Sequence, residues 1–219
     1  MLIIRRRRKV KTTFSGHRLR KYPNLTRELI VDRPNQLWVA DITYWPTQYG
    51  CLYISLVTDA YSKRIMGYCV APTLGAVHCK AALQMALKKI KKRTAKALIR
   101  HSDRGIQYCS AVYTALLDDY HVQISMTETG DPLENPIAER VNGILKNEYL
   151  AHRAVYSLAQ AELVLEQAVF LYNYKRPHLS CDMLVPDQVH QGEGKLKRRW
   201  KNYYSKRQVE SVVDGENRV

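Results

Sequence analysis

Three acidic residues in this chain of 219 residues are placed for joint chemistry: Asp41, Asp103 and Glu139. Asp41 lies in the run Leu37-Trp-Val-Ala-Asp-Ile-Thr43, whose alternation predicts a strand with Leu37, Val39 and Asp41 on one face. An ionised carboxylate there is costly to bury unless a cation or hydrogen bonds compensate it. Asp103 ends a second predicted strand, Leu98-Ile-Arg-His-Ser-Asp103, just before the turn residues Arg104-Gly105. Taken alone, it is explained by capping that turn. Glu139 follows Asp103 after 35 intervening residues, in a segment that reads as a helix. On that helix Glu139, Gly143 and Lys146 share a face, while Glu148 is turned roughly half a turn away. Acids from two strands and one helix, meeting at one end of a sheet, can hold two hard divalent cations. Mg²⁺ prefers such oxygen ligands and fills its remaining positions with water or substrate phosphate.

The elements that must position these acids follow from the hydrophobic pattern. Strand signals come at Leu37–Tyr44, Cys51–Asp59 and Arg64–Ala71, joined by connections short enough for an antiparallel meander. Residues 73–92 then switch to helical spacing with a lysine-rich end, which suits a helix C-terminus. Residues 97–103 and 122–126 read as short strands, and residues 110–120, 137–150 and 157–174 as helices, the last with Ser157 as N-cap. The order βββ-α-β-α-β-α-α predicts an α/β domain with a mixed sheet covered on both faces. The loop Thr127–Pro136 is polar, with Gly130-Asp131-Pro132 and Asn135-Pro136 as breakers.

Composition narrows the class of function. The chain is 46% hydrophobic, which excludes a disordered chain, and no run approaches the roughly 18–20 apolar residues of a membrane span. The net charge is +15, from 35 Lys and Arg against 20 Asp and Glu. Residues 1–33 hold eleven basic and two acidic residues, residues 191–219 eight and four, and residues 34–190 sixteen and fourteen. A nearly neutral core between basic ends fits a polyanion-binding protein whose arms lie along phosphates. The expected division is a basic arm over residues 1–33, a catalytic core over 34–190 and a basic tail over 191–219. Five cysteines without C-x-x-C spacing read as reduced residues of a cytosolic, nucleoid-associated protein, and they give no zinc site.

The motifs around the acids are specific. Asp41, Asp103 and Glu139 match the D,D-35-E pattern, and their flanks resemble the insertion-sequence transposases of the retroviral integrase-like superfamily. Pro34-Asn-Gln-Leu-Trp-Val-Ala-Asp-Ile-Thr-Tyr44 is similar to the first-strand motif of that family, and His101-Ser-Asp-Arg-Gly-Ile-Gln-Tyr108 to the second. Glu139 to Glu148 resembles its helix motif, and Tyr172-Asn-Tyr-Lys-Arg-Pro-His-Leu-Ser180 its downstream motif. The resemblance implies an RNase H-like fold, a five-stranded mixed sheet flanked by helices. It implies a DDE-type transposase that cleaves and transfers DNA strands with two Mg²⁺ ions, Mn²⁺ substituting. The catalytic and metal-holding residues would be Asp41, Asp103 and Glu139. The implied partners are DNA, both element ends and target, and further copies of the chain in a synaptic complex. Cys181 stands where relatives usually have Leu. The helix-turn-helix of full-length relatives has no counterpart within these residues, so the product of an upstream reading frame that supplies one is a further expected partner. Two alternatives remain: a truncated transposase that binds DNA as a regulator, and an RNase H-like structure-specific nuclease.

Other residues carry secondary expectations. Lys146, on the Glu139 face, is the first candidate for a phosphate contact. Arg140 pairs with either an acid or a phosphate, and Asn135 either touches DNA or caps the helix. Gly143 lets backbone or DNA come close, at a cost of about 1 kcal/mol to the helix. His101 either orients a carboxylate or is a satisfied core histidine. Asp59 is a rival acid that turn formation explains. Residues 173–180 read as a packed corner.

Overall fold

A computed structural model describes residues 14–128, 134–194 and 196–197. The basic run Arg5–Arg8, the middle of the loop Thr127–Pro136 and most of the C-terminal basic tail lie outside the described residues.

Strand β1 (Leu37–Thr47) turns through Gln48 and Tyr49 into β2 (Gly50–Asp59), and β2 into β3 (Ile65–Ala71). This is the antiparallel meander that the short connections predicted. β1 runs further than expected, through Pro46, because its other edge is occupied only at Leu37–Val39, where β4 (Ile99–Ser102) pairs in parallel. Pro46 therefore leaves no ladder hydrogen bond unmade on that side. β5 (Gln123–Met126) adds in parallel to β4, which gives the order β3-β2-β1-β4-β5. Parallel neighbours need crossovers, and helices supply them. α1 (Ala76–Leu87) and the short α2 (Lys92–Ala95) lead from β3 to β4, and α3 (Ile106–Cys109) and α4 (Ala111–Asp119) from β4 to β5.

The two-residue period of β1 sorts its side chains between two cores. Trp38, Ala40 and Ile42 pack with Leu83, Tyr113 and Leu117 under α1 and α4. Leu37 and Val39 face Ala138 of α5 (Pro136–Ile144), and Trp45 joins Val141, Leu165 and Tyr172 under α5 and α6 (Leu158–Tyr174). α1 lies very close on β3 at Gly67, where an added Cβ would fall 1.9 Å from the Ala82 carbonyl oxygen. Only glycine fits there. Ser157 caps α6 as expected, accepting the Gln160 N–H at 3.1 Å.

Two expectations change. The single helix over residues 137–150 is α-helical only to Ile144 and π-helical over Leu145–Leu150. The single helix over residues 73–92 is shorter, and a turn after Lys88 separates α1 from α2. A further short helix, α7 (Pro186–His190), closes the described core. Residues 14–33 form neither helix nor strand, yet they are tied along the β5 edge. Met126 N–H donates to the Pro23 carbonyl at 3.2 Å and Leu25 N–H to Ser125 Oγ at 2.9 Å. That strap covers an edge strand which would otherwise expose unpaired backbone groups. Among the described residues no helix is long and apolar enough to cross a membrane.

Candidate active site

Asp41 projects from β1 toward α5, on the face its sequence period assigned. One carboxylate oxygen accepts the Ile42 N–H at 2.8 Å and the other the Asn142 side-chain amide at 2.7 Å. Its pKa is pushed up to about 7, first by burial and then by the Asp103 charge. The Ile42 and Asn142 hydrogen bonds oppose the rise, and Glu139 adds to it. Like charges near one another disfavour ionisation unless a cation joins them. Asp41 therefore registers both of the other acids at one end of the sheet.

Asp103 is the first residue beyond β4, and its Oδ1 accepts the Gly105 N–H at 3.0 Å, the turn bond expected of a strand-end Asp. Beneath it, Ser102 Oγ donates to the Asp103 carbonyl at 2.8 Å and accepts from Arg100 Nη1 at 2.7 Å. The Arg100 guanidinium is wholly buried between the rings of Tyr108 and Tyr113, 4.2 and 4.5 Å from their centroids. Cation–π contact of this kind offsets part of the cost of burying the charge.

Glu139 sits in the first turn of α5 and is exposed. Its helix is pinned to β1 on both sides of it. Asn135 Nδ2 donates to the Ala40 carbonyl at 3.2 Å, and Asn142 reaches Asp41 three residues after Glu139. Three hard oxygen donors with mutually repelling charges are the chemistry a divalent cation takes. Their arrangement is open: among the described residues no three acid, histidine or cysteine side chains stand close enough to close round one ion.

The remaining candidates fall into two groups. Lys146 lies in the π-helical stretch, and its ammonium sits 3.4 Å from the centroid of Tyr44 on β1. Arg140 is exposed on α5. Asn135, by contrast, is buried, and its amide is spent on the Ala40 carbonyl, so it joins α5 to β1 and faces inward. Glu148 is turned away from the acids, held by Arg176 at 2.6 and 2.7 Å. His101 is a satisfied core histidine. Its ring nitrogens contact Ser125 Oγ at 2.8 Å and the Glu134 carbonyl at 3.1 Å, and burial with the Arg100 charge pushes its pKa down to about 4. Asp59 is buried in a turn, as its sequence context suggested, and accepts from Ser62 and Asn35. Asn142 was not singled out from sequence. Its only signal is its place in the helix motif, where an amide reads as a solvated residue.

The integrase core domain family is matched over residues 31–132 and again over residues 120–186. The chain is 33% identical over 171 residues to the transposase for insertion sequence element IS629 of Shigella sonnei, across 78% of this chain and 57% of that protein. It is 34% identical over 169 residues to the Escherichia coli transposase for insertion sequence IS3A, across 75% and 57%. It thus spans somewhat over half the length of these curated relatives. Among solved structures, the HTLV-2 integrase catalytic core domain in complex with magnesium superposes with a TM-score of 0.56 at 18% identity, over 72% of this chain and 97% of that one. A simian T-cell lymphotropic virus intasome superposes with a TM-score of 0.62 at 16% identity, over 88% and 66%. The fold is therefore that of the retroviral integrase core, RNase H-like, and the chain belongs to the integrase core domain family of insertion-sequence transposases.

Proposed function

We propose that the chain is the catalytic core of a DDE-type transposase, cleaving DNA strands and transferring them to a target during transposition of an insertion sequence. The observation that carries this reading is the half-buried Asp41 carboxyl between Ile42 N–H and Asn142, pushed up to about 7 by desolvation and by Asp103 and Glu139. A carboxylate placed at such cost is a functional-site signature. Asp41, Asp103 and Glu139 would hold two divalent cations, Mg²⁺ or Mn²⁺, which when bound supply the charge that activates the attacking oxygen and stabilises the leaving one.

The chain's own groups supply orientation. Ile42 N–H and Asn142 fix both oxygens of Asp41, and Gly105 N–H fixes one of Asp103. Glu139 is delivered by a helix held at Asn135 and Asn142. Catalysis then rests on positioning and charge, with no covalent protein intermediate. Lys146 and Arg140 contact phosphates beside the reacting one, while residues 1–33 and 191–219 add charge along the DNA around the core of residues 34–190. Element ends and target are the DNA partners, brought together by several copies of the chain.

The test is a cleavage and strand-transfer assay on element-end DNA with Mg²⁺ or Mn²⁺. Wild-type protein should cleave and join. Asp41→Asn, Asp103→Asn and Glu139→Gln should each lose both activities while still binding DNA. Cleavage without joining would indicate a structure-specific nuclease, and binding alone a regulator. Near-wild-type activity in any one variant would remove that residue from the trio.

A further inference from the structure

Arg100 is 0% exposed, and among the described residues no carboxylate forms an ion pair with it. Its Nη1 donates to Ser102 Oγ, while its Nε and Nη2 have no hydrogen-bond partner among the described residues. A guanidinium keeps its charge in a protein and presents five N–H donors. The rings of Tyr108 and Tyr113 offset part of the cost of enclosing it, but one hydroxyl against five donors leaves much of that cost standing. Packing does not ask for the charge. Methionine has a similar length, and an enclosed charge replaced by an apolar group of like size often leaves a fold equally stable or more so. Volume alone therefore does not explain an arginine at this position.

The surroundings tie this cation to the acids. Arg100 and Ser102 share a face of β4, and Ser102 Oγ links the guanidinium, at 2.7 Å, to the Asp103 carbonyl, at 2.8 Å. The chain then turns at Gly105, whose N–H holds Asp103 Oδ1, and returns in α3 to lay Tyr108 on the guanidinium. Residues 100–108 thus close on themselves, with the cation at one side and the Asp103 carboxylate at the other. Burial pushes the Tyr108 hydroxyl well above its usual value. Of the charges that then bear on it, Cys79, Asp41 and Asp103 raise it further and Arg100 lowers it. One enclosed ring therefore feels the cation and two of the three acids together.

We infer that Arg100 is an internal counter-charge to the acid trio, a positioning residue whose field weakens the hold of Asp41, Asp103 and Glu139 on a divalent cation. It touches neither the ion nor DNA, so it is not a catalytic residue. A fixed positive charge behind three carboxylates has two effects. It favours their ionised form, which is the form that binds metal. It also cancels part of the attraction they exert on an arriving cation, and because it is enclosed, salt screens it little. Ser102 and the two tyrosines fix where that charge stands. This inference rests on the metal-holding role given to the trio in the transposase reading, and adds to it a residue that sets the affinity from outside the ligand set.

Mn²⁺ binding to the full chain can be followed without DNA, at pH 8, from the paramagnetic resonance signal of the free ion. Arg100→Met should bind Mn²⁺ about tenfold more tightly than wild type, the order expected when one enclosed charge is removed near the site. Arg100→Lys keeps the charge and should stay close to wild type. The Mg²⁺ concentration that half-saturates strand cleavage should fall in Arg100→Met by a similar factor. A purely structural role gives the opposite sign, because acids loosened by the loss of Arg100 would hold the ion less well. Unchanged or weaker Mn²⁺ binding in Arg100→Met would therefore overturn the counter-charge. So would an equal gain in Arg100→Lys, or in Lys92→Met, whose side chain is 69% exposed, since the gain would then not come from the enclosed charge. If Arg100→Met does not fold, Arg100→Gln gives the same reading, and failure of both neutral variants to fold would make the arginine structural and overturn the inference. Mn²⁺ bound equally by wild type and Asp41→Asn, or by neither wild type nor Arg100→Met, would overturn the metal-holding role of the trio as well.

Discussion

Asp41 and Asp59 are carboxylates of adjacent strands, the first half-buried and the second fully buried, and their surroundings push them in opposite directions. For Asp59, burial alone would raise the pKa. His190 beside it and the N–H groups of Ser62 and Asn35 overcome that and hold it below the usual carboxylate range. Its contacts are full: Asn35 N–H at 2.7 Å, Ser62 N–H and Oγ each at 2.8 Å, and His190 Nδ1 at 3.7 Å. Asp41 receives two donors and faces two further acids, and it is pushed up to about 7. A fold that can satisfy one buried acid so well has left the other under-compensated. Local conflicts of this kind mark functional sites in sequences that are otherwise consistent.

The sharpest way to break that contrast is to neutralise each acid in turn and measure folding. Asp59→Asn should cost on the order of 3–5 kcal/mol in urea unfolding, because buried donors lose their acceptor. Asp41→Asn should cost little and should stabilise the metal-free protein at alkaline pH. The folded-state pKa of Asp41 lies above the ordinary aspartate value of 3.8. The fold therefore holds that proton more tightly than the unfolded chain does. Stability then declines as pH rises from about 4 to about 7, by at most about 4 kcal/mol, and stays flat above. An Asp41→Asn protein less stable than wild type at alkaline pH would show Asp41 to be as structural as Asp59.

A second, somewhat smaller effect follows from the same frustration. Mg²⁺ or Mn²⁺ should raise the melting temperature of the wild type by binding the folded state alone. Asp41→Asn and Asp103→Asn should lose most of that rise, while Asp59 takes no part in it. A gain of similar size in Asp41→Asn would place the cation elsewhere.

What the sequence made legible follows the same division. Asp41 and its strand face could be read because a period of two leaves no choice of side once Leu37 and Val39 are buried. Spacing and motif single out Asp103 and Glu139 as candidates, and the context of Asp59 marks it as a turn acid. Asn142 was missed because an amide on a helix looks the same whether it meets solvent or a carboxylate. The π-helical stretch Leu145–Leu150 was missed because a shift in backbone pairing has no residue-type signature. It changes the register of Lys146, so helical arithmetic at 100° per residue stops at Ile144. The strap of residues 14–33 has no period at all, and only its tertiary contacts with β5 define its path.

The histidines give a pH dependence of opposite sign to that of Asp41. Burial, and then the charge of a neighbouring arginine, push His101 and His178 down to about 4. A neutral buried histidine must take up a proton on acid unfolding. Stability is therefore lost as pH falls from about 6.5 toward 4, by up to about 3 kcal/mol for each group. His101→Gln should flatten that acid limb, and Asp41→Asn should steepen it by removing the opposing slope. The check is the urea midpoint of the three proteins between pH 4 and 7. If the acid limb were unchanged in His101→Gln, His101 would not be the neutral core histidine its contacts with Ser125 and Glu134 describe.

The smallest effect concerns two glycines that divide as the two acids do. Gly67 is demanded by packing, since an added Cβ would fall 1.9 Å from the Ala82 carbonyl oxygen. Gly143, one turn after Glu139, is demanded by nothing in the described chain, since an added Cβ there meets no atom within 4 Å. Alanine at a helical position is favoured over glycine by about 0.5–1 kcal/mol, chiefly through the entropy of the unfolded chain. Gly143→Ala should therefore raise the urea midpoint by that amount. If the space beside Glu139 is where the DNA backbone passes, the same change should weaken DNA binding and cleavage severalfold. Thermal and urea denaturation read the first effect, and the cleavage assay with binding isotherms reads the second. A variant both more stable and fully active would show that DNA does not approach α5 at this turn, and the path along Arg140 and Lys146 would have to be redrawn.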